Sequence, residues 1–476
     1  GVSEGGVRAM TPGNGLAAGP GRAETARVGT NFMEGHMTEA QTSESMSPEL
    51  QKVAERARRD PETRFHSLAH LIDQAALQRA FHRQRGNAAA GTDGMRKADY
   101  EQGLETRLQD LHERLRTRRY RHQPIRRVHI PKEGRAGQTR PLGISCFEDK
   151  LVQESLREIL EAVYEPLFRG CSYGFRRGRS AHGAMRELHN RLYRGEVNWV
   201  LEADIQSFFD NVDRLALHEM LQERIADGSL LRLIGKGLHV GVMDGEEVST
   251  PDQGTAQGSV LSPMLGNIYL HHVLDTWFED QIRPRLKGRA HLVRYADDFV
   301  IGFELREDAE RVMVVLGKRM ERFGLRLQPE KTRLVPFRRP DRTQVCGKGP
   351  GTFDLLGFTW YWRRSRRGHW VPRCKTRTSR RRRIVRNVTD WCRRHRHEPI
   401  AVQHAALARR LRGHFQYFGV NGNIRSLDKV NHHAARAWYK WLTRRSQRSR
   451  LTWDRFRDLL RDFPFPRPRV YVQIWG

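Results

Sequence analysis

Apolar positions at helical spacing mark two early amphipathic helices. One covers Leu68, Leu71, Ile72, Ala75 and Ala76 and runs on to Arg79; the other covers Leu104, Leu108, Leu111 and Leu115. The cluster Gly91-Thr92-Asp93-Gly94 reads as the turn between them. A short strand from Ile125 to Ile130, a Gly-rich cationic loop over 131–144 and a helix from Asp149 to about Tyr164 follow. Ser180 is the predicted N-cap of the next helix, after Ser172-Tyr173-Gly174-Phe175-Arg176-Arg177-Gly178-Arg179. The run Trp199 to Ile205 predicts a strand, with helices near 213–224 and 229–239 and a hairpin from Met243 to Val248 behind it. Ser262 and Pro263 are read as cap and first residue of a long helix through Trp277. Two apolar runs then flank Ala296-Asp297-Asp298, the pattern of a short hairpin.

The stripe Ala309, Val312, Met313, Leu316, Met320 and Phe323 predicts a helix packed on the core. Gly324 to Thr332 turns into a further strand, and Phe353 to Trp362 reads as one aromatic strand. Beyond it the pattern becomes helical and basic: Arg380 to Arg396, Leu407 to Phe418 and Leu427 to Arg445, the last two separated at Gly419–Asn423. Residues 1–47, rich in Gly, Ala, Ser, Thr and Glu, lack periodicity and are predicted to be disordered, with Met37 and Met46 as candidate starts. A boundary near residue 365 would divide 48–365 from a helical unit over 366–476.

Composition changes the picture through charge. The 85 Lys plus Arg outweigh 55 Asp plus Glu, a net +30 that fits nucleic acid as partner. No apolar run approaches a membrane-spanning helix, and no charged-then-apolar leader is read, so no membrane partner is expected. Five scattered cysteines make no disulfide framework and point to a reducing compartment. Cys374 and Cys392 lie near His369, His395 and His397, but without any Cys-x-x-Cys pair the spacing predicts no zinc site.

The chemistry rests on acid at strand ends. Asp297 and Asp298 alone fit ordinary turn chemistry. A second acidic strand end, Glu202-Ala203-Asp204-Ile205, alters that reading. Two strands that each end in Asp can converge and clamp a pair of divalent cations, as in-line nucleotidyl transfer requires. The Arg-rich tail, almost free of acid, favours a phosphate-binding face.

In order along the chain stand Ile130-Pro131-Lys132 with Arg140-Pro141-Leu142-Gly143-Ile144, Ser172-Tyr173-Gly174-Phe175-Arg176, Ala203-Asp204-Ile205, Gln257-Gly258, Leu261-Ser262-Pro263, Tyr295-Ala296-Asp297-Asp298, Lys331-Thr332 and Leu356-Gly357-Phe358. This series, over roughly residues 65 to 470, resembles the group II intron-encoded reverse transcriptase/maturase family, in a form that stops at Gly476 without the Cys/His-rich endonuclease domain. The resemblance implies an α+β right-hand polymerase, its fingers and palm built on antiparallel sheet, followed by an α-helical thumb or maturase domain.

It also implies RNA-directed DNA polymerase activity with two Mg²⁺ ions, assistance to intron splicing, and a part in intron mobility. Asp204, Asp297 and Asp298 would be the catalytic carboxylates, with the Ile205 carbonyl as a further metal ligand. Lys132, Arg140, Phe209, Gln257 and Gly258 would meet the incoming dNTP, Phe209 (or its neighbour Phe208) crowding a ribose 2′-hydroxyl. Tyr295, Lys331, Leu356 and Gly357 would touch primer or template, and Arg380, Arg381, Arg382 and Arg383 would bind RNA. Expected partners are the parent intron, an RNA template and a DNA primer or target, in a bacterial cytoplasmic, nucleoid or ribonucleoprotein setting. Ala256, Ser259 and Arg177 stand where relatives usually carry Pro, Gly and Pro. Two alternatives share these motifs: a reverse transcriptase of this lineage recruited to defence or DNA repair, and a splicing cofactor without polymerase.

Overall fold

The computed structural model describes residues 46–131, 139–244, 247–249, 254, 258–341, 351–446 and 451–475. The expected disordered segment therefore lies outside the described residues, save its last two. Those two are ordered: Met46 packs on the core and Ser47 caps α1 (Pro48–Arg59), accepting from the Leu50 amide. The first predicted helix is broken. Ala69–Leu71 form a 3-10 turn, and α2 (Gln74–Arg83) starts afresh because Asp73 caps it at the Ala76 amide. After α3 (Lys97–Glu101), α4 (Leu104–Arg116) buries Leu108 and Leu111 as its spacing predicts.

Strand β1 (Ile125–Pro131) pairs antiparallel with β2 (Thr139–Ile144), so the second half of the predicted loop is a strand. Its Pro141 and Gly143 look like turn residues, yet β2 is the edge of the order β2-β1-β4-β5, where a missing N–H is tolerated. In that sheet β4 (Val242–Asp244) runs parallel to β1, and β5 (Glu247–Ser249) closes the expected hairpin on β4. Helix α5 (Phe147–Tyr164) is buried along nearly its whole length. Its acids Glu154, Glu158 and Glu161 are matched by Arg83, Arg157 and Arg177, including Arg157 Nη1 to Glu161 at 2.6 Å and Arg177 Nε to Glu161 at 3.0 Å. Pairing of this kind is what permits charge inside a core.

Helix α6 (Ala181–Tyr193) starts at Ser180, whose hydroxyl accepts from the Gly183 amide. Strand β3 (Trp199–Asp204), helices α7 (Arg214–Gln222) and α8 (Gly228–Leu238), and α9 (Ser262–Leu270) follow. Leu261, not Ser262, occupies the cap position of α9, and the helix runs on through π-helical turns to Ile282. Next come β6 (Ala290–Tyr295), β7 (Asp298–Phe303), α10 (Arg306–Arg322) and β8 (Arg333–Pro336).

These four strands form an all-antiparallel sheet in the order β6-β7-β3-β8. Side chains alternate across it. Leu201, Ala203, Phe299, Ile301 and Phe303 join the core around α5 and α10, whereas Val200, Val293 and Val300 join a second core with α6 and the C-terminal elements. Burial on both faces explains why these strands read as nearly continuous apolar runs.

The single aromatic strand expected over 353–362 is two: β9 (Phe353–Leu355) and β10 (Phe358–Arg364), reversed at Leu356-Gly357, both at positive φ. Strand β11 (Trp370–Thr376) completes that sheet. The expected boundary near residue 365 falls in the β10–β11 turn, between strands paired from Phe358↔Thr376 to Arg364↔Trp370. The helices α11 (Thr378–Arg394), α12 (Ile400–Phe418), α13 (Ile424–Leu442) and α14 (Trp453–Asp462) close the chain. Among the described residues no helix is long and apolar enough to cross a membrane.

Candidate active site

The register of the central sheet brings the predicted carboxylates to one end. Asp204 is the last residue of β3 and pairs with Asp298, the first of β7. Tyr295 pairs with Asp298 across the two-residue turn Ala296-Asp297, so Asp297 projects from the same corner. Beyond Asp204 the chain is held by Leu325–Gln328: the Gln206 amide donates to the Arg326 carbonyl, and the Gln328 amide to the Asp204 carbonyl, both at 2.8 Å, with Ile205 bridging to Leu327.

The turn is fixed from beneath by a residue that the sequence reading passed over. Arg294 is fully buried and pairs with Asp275, Nε to Oδ1 at 2.7 Å and Nη2 to Oδ2 at 2.6 Å. It also donates to Ser172 Oγ, to Asn267 Oδ1 and to the Ala296 carbonyl. That last bond ties the turn, whose Ala296 sits at φ 56°. A charge in an otherwise apolar strand was the signal for Arg294, as the amide in apolar α9 was for Asn267. Gly174 lies so close that a Cβ there would stand 2.4 Å from the Ala296 amide nitrogen.

The three carboxylates differ. Burial is the main force raising the carboxyl of Asp297, and Asp204 nearby adds to it. Asp298 is pushed up to about 7, mostly by burial, with Asp297 and Asp204 adding to the rise. The Leu356 amide, donating to Asp298 Oδ2 at 3.0 Å, works the other way. Lys331, expected at primer or template, reaches Asp204 Oδ2 at 2.6 Å. With these partners engaged, no three His, Cys, Asp or Glu side chains among the described residues converge within metal-binding reach. The donor chemistry itself, all carboxylate and carbonyl oxygen, suits magnesium.

Phe209, expected at the nucleotide, follows Asp204 by five residues. Phe208 and Phe209 fall in a 3-10 turn, Phe208–Asp210, not in a strand. Phe208 is buried in the core while Phe209 remains half-buried. Gly254 approaches the carbonyls of Phe209 and Asp210, a Cβ there lying 2.8 Å from each. Gly258, at φ +116°, is pressed against the Gly143 carbonyl of β2. The structure thus sets Gly258 against β2 and Gly254 against the Phe208–Asp210 turn. Lys132 and Gln257 lie outside the described residues, and so does the side chain of Arg140. Gln153 of α5, another residue not foreseen, accepts from Ser259 Oγ at 3.1 Å and from the Val260 amide at 3.2 Å, so the departure at 259 is tied into the fold. Arg177 is accommodated by Glu161, and Ala256 lies outside the described residues.

Leu356 and Gly357 form the turn that contacts both Asp298 and α12, where Tyr417 Oη donates to the Leu356 carbonyl at 2.8 Å. The four consecutive arginines wind around α11 and do not share one face. Arg382 is exposed, while Arg380, Arg381 and Arg383 are half-buried, Arg380 beside Gly357.

A family model described as reverse transcriptase (RNA-dependent DNA polymerase) matches residues 130–360. The chain is similar to the group II intron-encoded protein LtrA of Lactococcus lactis subsp. cremoris, 37% identical over 194 residues, 41% of this chain and 32% of that protein. It is also similar to protein YkfC of Escherichia coli (strain K12), 34% identical over 284 residues, 52% of this chain and 74% of that one. A third relative is nuclear intron maturase 4, mitochondrial, of Arabidopsis thaliana, 32% identical over 143 residues, 29% of this chain and 17% of that protein. The chain thus spans about a third of the lactococcal relative's length.

Proposed function

Because this chain belongs to the group II intron-encoded reverse transcriptase/maturase family, we propose that it is an RNA-directed DNA polymerase that also binds its parent intron RNA and assists splicing and mobility. The observation that carries the reading is the Asp204↔Asp298 register, with Asp297 in the adjoining turn. Residues 48 to the β9–β11 sheet would form fingers and palm of a right-hand polymerase. The thumb or maturase unit, expected from 366, would take its helical part from α11 onward. The protein's setting would be a bacterial cytoplasm, at the nucleoid or within a ribonucleoprotein.

Asp204, Asp297, Asp298 and the Ile205 carbonyl would hold two magnesium ions, which when bound supply charge stabilisation at the attacking and leaving oxygens. The chain's own groups do the positioning. The Leu356 amide orients Asp298, Arg294 holds the turn that carries Asp297, and Lys331 balances the charge of Asp204. Lys132, Arg140, Gln257 and Gly258 would face the dNTP, with Phe209 closing the space at the sugar. Tyr295, Leu356 and Gly357 would border primer and template, and Arg380 to Arg383 would meet RNA phosphates.

Asp297→Asn tests this directly. Primer extension should vanish, while template binding, which rests on the basic surface, should persist. Wild-type extension by the variant would refute the assignment.

A further inference from the structure

We propose that Phe175 is a stacking platform for a nucleobase of the template–primer duplex, held in strain at the edge of the acidic hairpin. The inference rests on the polymerase reading and adds a contact to it. Phe175 is a bulky residue at φ 56°, in the left-handed region that side chains of its kind avoid. It is also 44% exposed, so burial does not offset the strain. Its ring centroid lies 6.3 Å from that of Tyr295, the residue that leads into the Ala296-Asp297 turn.

Both neighbours prevent relaxation. Gly174 is wedged against the Ala296 amide, and its carbonyl accepts from buried Asn267 Nδ2 at 2.7 Å. Arg176 is buried, with Nε and Nη2 on the Glu165 carboxylate at 2.9–3.1 Å and Nη1 on the carbonyls of Arg169 and Ser172, each at 2.8 Å. Residue 175 is therefore fixed from both sides in a conformation that glycine would adopt without cost. Strain over-determined by its surroundings is characteristic of ligand-contacting positions. In a chain of net charge +30, an exposed ring beside paired carboxylates meets its natural counterpart in a nucleobase, since every base offers a π face.

Phe175→Gly, Phe175→Leu and Phe175→Trp in the full chain test this. Binding is read in EDTA with a primer–template carrying 2-aminopurine near the primer end, by anisotropy and by quenching, beside thermal unfolding of each variant. The Gly and Leu variants should bind roughly 5- to 100-fold more weakly and lose the quenching. The Trp variant should stay within about twofold of wild type, because it keeps a π face. The Gly variant should unfold no earlier than wild type, because the backbone strain is gone. Unaltered binding and quenching in the Gly and Leu variants would overturn the proposal, leaving the ring to a protein partner or to no partner. A Trp variant as weak as Leu, or a Gly variant that melts several degrees lower, would overturn it as well, the latter because the ring would then be structural. The polymerase reading fails separately, if wild-type protein binds this substrate but does not extend it with Mg²⁺ and dNTPs.

Discussion

Asp298→Asn should make the metal-free protein more stable while removing its activity, and the size of the gain follows from the site. Asp298 remains partly exposed as a residue, yet protein atoms crowd its carboxyl group and raise it from the ordinary 3.8 to about 7. At about 1.4 kcal/mol per tenfold change, that rise bounds the penalty on the ionised form at roughly 4 kcal/mol. The sign is that of a carboxyl more easily ionised in the unfolded chain than in the folded one. The penalty is absent below about pH 3.8, grows as pH rises, and is complete above about 7. Asparagine is nearly isosteric and carries no charge, and its carbonyl can still accept from the Leu356 amide. In EDTA the variant's advantage in unfolding midpoint should be about two fifths of its full size at pH 5, nearly complete at pH 7 and level by pH 8.5, reaching several degrees. Added Mg²⁺ should narrow the gap, because only the wild type gains fully from binding a cation. Thermal unfolding at those three pH values, with and without metal, measures all of this. A pH-independent difference, or a variant less stable than wild type in EDTA at pH 8.5, would refute the electrostatic account.

Phe209→Ala should admit ribonucleotides into primer extension, whereas Phe208→Ala, which removes a core ring, should chiefly lower the unfolding midpoint; the reverse pattern in incorporation assays would exchange their roles. Gly174→Ala should reduce extension by tenfold or more, because the new Cβ meets the Ala296 amide, a backbone atom, at 2.4 Å; an unchanged rate would mean that the hairpin can shift freely. Replacing Arg380 to Arg383 by Gln should flatten the dependence of RNA affinity on salt by about one to three in logarithmic slope, at roughly 0.9 per phosphate for a duplex. The full four is not expected, since Arg380 packs beside Gly357; equal slopes for wild type and variant would make the run a solvated face.

The hairpin and the strand before it were legible because both faces of their sheet are buried, which leaves apolar runs with acid only at their ends. Helices with a single apolar stripe, α4 and α10, were legible for the same kind of reason. The failures occur where a local pattern is overruled by distant partners. Strand β2 contains Pro141 and Gly143 and becomes a strand only because β1 pairs with it. The break at Leu356-Gly357 is invisible in an aromatic run, because a leucine at positive φ is held there by Asp298 and Tyr417 rather than by its own preference. Lys331 lies 127 residues from Asp204 along the chain, so no spacing could announce their ion pair.

Strained backbone gathers at the carboxylates. Among the described residues five non-glycines have positive φ: Arg118, Phe175, Ser207, Ala296 and Leu356. All but Arg118 border the Asp204–Asp298 pair: Ser207 follows β3, Ala296 forms the turn, Phe175 faces Tyr295, and Leu356 donates to Asp298. Each such conformation costs about 1–2 kcal/mol, and the crowded carboxylates add their own penalty. A chain selected for stability alone would place glycine at these positions and amides at Asp297 and Asp298. Strain and repulsion kept together at one end of one sheet fit the proposal that both are relieved from outside, the charge by cations and the exposed ring by a stacked base. The free energy withheld from folding is then available for binding, so substitutions that relax the site should stabilise the empty protein and weaken its hold on substrate in the same stroke.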